Sequence, residues 1–196
     1  FLAIYKKIQP YTMVGVERSY ALYESVKYIV SANIQGDFVE CGVWRGGSAM
    51  LMVLTLQHLG VENRPVWLYD TYSGMTKPGE EDGETEKQEW EKLQTGADQS
   101  NWCLAQQEEV ATNLRSTGYP ISMLQFVKGK VEDTIPAHIP DQIALLRLDT
   151  DWYASTRHEL IHLYPRLQKN GVLLLDDYGY WQGCRKSTDE YFKGRV

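Results

Sequence analysis

Nowhere in the 196-residue chain is there a run of about 20 apolar residues, so no segment has the length and apolarity of a bilayer-spanning helix. The opening residues Phe1-Leu2-Ala3-Ile4-Tyr5-Lys6-Lys7 show no apolar core behind a basic start, and the expectation is a soluble, cytoplasmic protein. Cysteine is scarce. Cys41, Cys103 and Cys184 are odd in number, widely spaced and outside any CxxC pattern, which argues against a disulfide framework or a zinc site and for reduced thiols. Basic residues are outnumbered 20 to 26, a net charge of −6. A nucleic-acid partner or an anionic membrane would need a clustered basic field, so neither is expected. Internal repeats and shifts of composition are also lacking, so residues 1–196 read as a single domain.

What is present is 43% hydrophobic residues, enough for one packed core, arranged as alternating helix and strand patterns. Apolar residues at helical spacing over 16–34 predict a helix, within an N-terminal helical segment 1–35. Phe38 to Gly42 reads as a strand, 49–59 as a helix, and 66–70 as a second strand ending on Asp70. Residues 71–88, rich in Gly, Pro, Glu and Asp, predict a long loop; the segment 71–100 is expected to be a mobile loop or lid. A helix over 103–117, a strand over 121–127 and a turn over 129–136 follow. The alternation argues for an α/β fold with a doubly wound, mostly parallel sheet.

Two apolar runs then end in acids: Leu145-Leu146-Arg147-Leu148-Asp149-Thr150-Asp151 and Val172-Leu173-Leu174-Leu175-Asp176-Asp177. With one crossover between them, predicted as a helix over 155–169, both strands deliver their carboxyl ends to the sheet edge where open α/β sheets bind ligands. Acids at strand ends also cap helices. Three carboxylates brought together, however, call for a cation or a raised pKa, and a hard divalent ion suits Asp149, Asp176 and Asp177.

The turn Gly42-Val43-Trp44-Arg45-Gly46-Gly47-Ser48 lacks the G-x-G-x-x-G spacing of a pyrophosphate cradle. Asp70 stands where an acid receives the two ribose hydroxyls of a nucleoside, and Glu40 offers a carboxylate to a ligand's ammonium group. A nucleoside without a diphosphate fits this pairing, and S-adenosylmethionine is one.

Four separated stretches now carry a family resemblance: Phe38 to Ser48, Asp70-Thr71-Tyr72-Ser73-Gly74-Met75, Leu148-Asp149-Thr150-Asp151-Trp152-Tyr153-Ala154-Ser155-Thr156, and Asp176-Asp177-Tyr178-Gly179. In order and spacing the chain resembles the macrocin O-methyltransferase family of class I S-adenosylmethionine-dependent methyltransferases, from about Thr12 to Tyr191. The resemblance implies a Rossmann-like fold, S-adenosylmethionine as donor, Mg2+, and a small-molecule hydroxyl acceptor, often a sugar on a natural product. By position it places the methionine end against Glu40, Gly42 and Ser48, the ribose on Asp70, and the adenine near Ser73, Val131 and Glu132. It assigns Asp149, Asp176 and Asp177 to the metal, with Asp149 or Asp151 as base. It also implies two strands after the helix near 185–192. The sequence ends at Val196, so the sheet is expected to lack its last two strands or to close differently, and an exposed edge would favour a homo-oligomer.

Tyr72, Tyr178 and Trp181 are candidates for acceptor contacts by position, and the His158/His162 pair reads as helix surface or packing. Two alternatives remain at this point. One is a metal-dependent hydrolase of a nucleotide or sugar phosphate; the other is a non-catalytic methyltransferase-fold module.

Overall fold

The computed structural model describes residues 1–194. At its centre β1 (Asp37–Cys41), β2 (Val66–Asp70), β5 (Leu124–Lys128), β6 (Ile143–Leu148) and β7 (Leu167–Leu175) form a sheet in the order β5-β2-β1-β6-β7. Every pairing is parallel. The chain builds outward from β1 in one direction, then returns to β6 and β7 on the other side. That reversal opens a crevice between β1 and β6 at their carboxyl ends.

Strand residues alternate between two cores, as the two-residue period of a pleated strand requires. Phe38, Leu68 and Leu145 face α1 (Leu2–Ile8), α2 (Val16–Ser31), α3 (Gly47–His58) and α5 (Gln107–Arg115). Val39, Tyr69 and Leu146 face α6 (Val131–Thr134), α7 (Tyr153–His162) and α8 (Gln182–Phe192). Helix α2 buries Leu22, Tyr23, Val26 and Ile29, one stripe at 3.6-residue spacing.

Several expected boundaries move for identifiable reasons. The helix predicted over 103–117 is confined to α5, because Cys103 takes a left-handed backbone (φ 51°) and cannot lie within it. The strand predicted from Ile121 starts at Leu124, after a 3-10 turn, Ile121–Met123, that follows Pro120. The crossover helix predicted to reach 169 ends at His162. Pro165 lies in the 3-10 turn Tyr164–Arg166, and β7 begins at Leu167, two residues on, with its register interrupted before Val172.

The largest difference is in 71–100. In place of a long loop it carries α4 (Glu84–Leu93) and a hairpin of β3 (Gln94–Gly96) and β4 (Gln99–Ser100). The helix buries Trp90, 1% exposed, whose indole N–H donates to the Met75 carbonyl at 3.0 Å. One tryptophan on an otherwise charged helix gives almost no apolar period, which is why the pattern reads as loop. The segment is tied to the body at Asp82, which accepts from Gly79 N–H at 2.7 Å and from Tyr153 N–H, at the start of α7, at 2.8 Å. Trp152 adds a bond to the Thr76 carbonyl at 2.9 Å.

Candidate active site

The carboxyl ends of β1, β2, β6 and β7 line a cavity of about 690 Å³. Arg147 lies under it. Its side chain is 3% exposed, and its Nη1 donates to Glu40 Oε1 at 2.8 Å and to Asp149 Oδ2 at 2.6 Å. Its Nη2 stands 2.8 Å from Asp176 Oδ1, an ion pair outside hydrogen-bond alignment. Sequence reasoning passed over Arg147 as part of an apolar run. The available signal was a charge in a strand buried on both faces, which must find partners. Glu40, 1% exposed, keeps Oε2 without a partner. Burial pushes its carboxyl up to about 8, against the pull of Arg147.

Asp149, Asp151 and Asp177 bring carboxylate oxygens within 4.8 Å of one another. The expected metal trio of Asp149, Asp176 and Asp177 shares two members with this cluster. Asp176 is turned onto Arg147 and onto Arg18 of α2, the latter at 2.5 Å, and Asp151 takes its place in the cluster. Asp151 reaches that position through a left-handed backbone, φ 69°, which periodicity does not reveal. Asp177 Oδ2 is buried and unpartnered. Crowded carboxylates, two half-buried and one buried with an orphan oxygen, form a donor set that fits a hard divalent cation, with Asp176 adjacent in sequence and space.

Burial first, and mutual repulsion after it, raises Asp149 to about 8, Asp151 to about 7 and Asp177 to about 9, from an ordinary 3.8. Between about pH 4 and those values the folded protein binds more protons than the unfolded chain, so its stability falls as pH rises. The cluster's contribution is complete below the unfolded pKa and is lost through about pH 7–9. Calorimetry in chelator should show Tm falling by several degrees from about pH 6 to pH 9. A flat profile would refute the crowding.

On the other side of the crevice, Asp70 Oδ2 accepts from the N–H groups of Val43 (2.7 Å) and Trp44 (3.0 Å), and Oδ1 from Tyr72 N–H (2.7 Å). The carboxylate thus braces the glycine turn after β1 while still lining the cavity. Gly42, Ser48 at the start of α3, and Val131 and Glu132 on α6 line it too. Ser73 does not. The chain reverses at Tyr72 (φ 52°) and Gly74 (φ 88°), setting Ser73 on an adjoining hollow of about 380 Å³ that shares Thr71, Thr76, Gly129 and Lys130 with the cavity.

The sequence pattern of the macrocin O-methyltransferase family matches residues 6–195. The chain belongs to that family. It is an O-methyltransferase by membership, which selects this reading over the hydrolase and the non-catalytic module. Demethyldecarbamoylnovobiocin O-methyltransferase of Streptomyces niveus is 34% identical over 182 residues, 92% of this chain and 67% of that protein. The 8-demethyl-8-(2,3-dimethoxy-alpha-L-rhamnosyl)-tetracenomycin-C 4'-O-methyltransferase of Streptomyces olivaceus is 33% identical over 186 residues, 94% and 68% of the two chains. The solved structure of the O-methyltransferase NovP superposes with a TM-score of 0.83 at 31% identity, over 93% of this chain and 74% of that one.

In this O-methyltransferase the mouth of the cavity is aromatic. Trp102 and Trp181 line it and meet edge-on at 6.2 Å, each also packed on Trp152, at 5.7 and 6.2 Å. Tyr180, 75% exposed, stands beside Trp181. Of the three aromatics expected to contact an acceptor, Trp181 lines the cavity and the other two do not. Tyr72 is core, its hydroxyl bonded to the Leu68 carbonyl, and the Tyr178 hydroxyl donates to Asp189. Trp102 was not foreseen, because it follows a segment read as loop. His158 and His162 lie side by side on α7 with tilted rings, centroids 4.4 Å apart, and take no part in the cavity.

Proposed function

We propose that this enzyme methylates a hydroxyl on a sugar of a natural product, with S-adenosylmethionine as donor and Mg2+ at the aspartate cluster. The carrying observation is the single cavity that joins Glu40, Asp70 and the glycine turn on one side to the cluster of Asp149, Asp151 and Asp177 on the other. Glu40 Oε2 is free to receive an ammonium group, Asp70 and α6 border the nucleoside end, and Ser48 lines the same cavity from the start of a helix. The relatives' names supply the acceptor class, one of them specifying a rhamnosyl group. An aromatic wall of Trp102, Trp181 and Tyr180 suits a bulky, partly apolar acceptor.

Asp149 and Asp177 of the cluster, with Asp176 beside them on the same cavity wall, would hold the cation, which when bound supplies Lewis acidity toward acceptor oxygens. The residues of the chain do the rest. Asp149 is committed to Arg147, whereas Asp151 pairs with no cation among the described residues. Asp151 is therefore the better placed of the two expected bases to take the acceptor's proton as its oxygen accepts the methyl group. Binding energy from the aromatic wall orients the acceptor across the cluster.

Isothermal titration with S-adenosylhomocysteine tests the donor. Binding is expected, and Asp70→Asn, which weakens both the brace on the turn and the carboxylate facing the ligand, should lower affinity by about tenfold. Transfer from S-adenosylmethionine to a panel of glycosides should require a divalent cation and stop in chelator. No binding to folded protein would overturn the donor; cation-independent transfer would overturn the metal.

A further inference from the structure

We infer that Arg147 couples the cofactor and cation sites, so that each ligand weakens the other by competing for one guanidinium; this rests on the functional reading above. The side chain is almost wholly buried and its fork is divided among three carboxylates. Glu40 borders the cofactor side, while Asp149 and Asp176 border the cation side. Glu40 and Arg147 are direct neighbours across β1 and β6, so no other residue is needed to connect the two sites.

The sign follows from charge. A cation that takes up the negative charge of Asp149 and Asp176 leaves Glu40 as the guanidinium's remaining anion. Glu40 is then more fully compensated and offers less to a ligand's ammonium group. In the other direction, an ammonium group on the free Glu40 Oε2 shifts Arg147 toward Asp149 and Asp176, where it opposes the cation. Coupling between two sites is reciprocal, with the same factor in both directions. Only ligands that carry the amino-acid moiety should feel it, because the nucleoside end rests on Asp70 and α6 and not on Arg147.

The test uses the intact chain and two ligands. S-adenosylhomocysteine has the ammonium group; 5'-methylthioadenosine keeps the nucleoside and thioether and lacks the amino-acid end. Saturating Mg2+ should raise the Kd of S-adenosylhomocysteine by about fivefold and leave that of 5'-methylthioadenosine within about twofold. Mn2+ affinity, read by electron paramagnetic resonance, should fall by the same fivefold on saturation with S-adenosylhomocysteine. Arg147→Lys, whose single ammonium cannot span three partners, should flatten the effect. If that variant does not fold, Glu40→Gln keeps the shape, removes one anion and should flatten it as well. Equal shifts for both ligands, no shift, tighter binding with the cation, or coupling that survives in Glu40→Gln would each overturn the inference. A protein that binds no S-adenosylhomocysteine, or no Mn2+, would overturn it together with the donor or the cation reading respectively.

Discussion

Asp151→Asn is expected to slow methyl transfer by about 10²- to 10⁴-fold while the Kd for S-adenosylhomocysteine stays within about twofold. The amide is nearly isosteric with the carboxylate but cannot take a proton, so the loss falls on the chemical step. The backbone makes the substitution clean. Asp151 sits at φ 69°, a conformation that asparagine adopts more readily than other non-glycine residues, so the turn between β6 and α7 should keep its shape. Asp149→Asn has no such cleanliness, because Asp149 also holds Arg147 at 2.6 Å. Single-turnover measurement with a labelled methyl donor separates the step from product release. Retention of more than about a tenth of the wild-type rate would move the base role to Asp149.

The sheet and the crevice were legible because they rest on short-range signals: apolar runs, glycine turns, and acids at strand ends. Asp149, Asp70 and Glu40 could be placed on one edge from order alone, since parallel strands in a doubly wound sheet all end there. The missing parts depend on geometry that no local pattern encodes. Whether Asp176 or Asp151 faces the cluster turns on one left-handed residue and on which carboxylate the two arginines claim. Arg147 was hidden by the strand that carries it. Helix α4 was hidden by its own charge, since its docking depends on Trp90 and on Asp82 reaching Tyr153, contacts between residues far apart in sequence. The placement of Ser73 has a related cause: a motif fixes its position in the chain but not the reversal at Tyr72 and Gly74 that sets it on the adjoining hollow.

Gly42→Ala should lower Tm by roughly ten degrees and weaken S-adenosylhomocysteine binding by at least about tenfold. Gly42 is where the turn after β1 crosses the turn after β6. Its N–H donates to the Tyr69 carbonyl of β2 at 2.9 Å, and on the β6 side Asp149 N–H donates to the Cys41 carbonyl, also at 2.9 Å. A Cβ added at Gly42 would overlap the Asp149 carbonyl oxygen and carbon. These are backbone atoms held in the parallel pairing of β1 and β6, so no side-chain rotation relieves the overlap. The residue also has φ 82°, which costs alanine about 1 kcal/mol or more before any overlap is counted. Together the two effects amount to about 3 kcal/mol or more, in the range of severe single substitutions, and about 2–4 °C per kcal/mol applies to a chain of this size. Gly179→Ala is the control. Gly179 has nothing within 4 Å of an added Cβ, and its melting temperature should stay within about two degrees of wild type. An unchanged melt for Gly42→Ala would mean that the two turns can separate, and that the distance between the cofactor side and the aspartate cluster is adjustable. A lowered one, with binding lost, means that the close crossing at Gly42 holds Asp149 against the cofactor turn and so sets the geometry in which methyl group and acceptor meet.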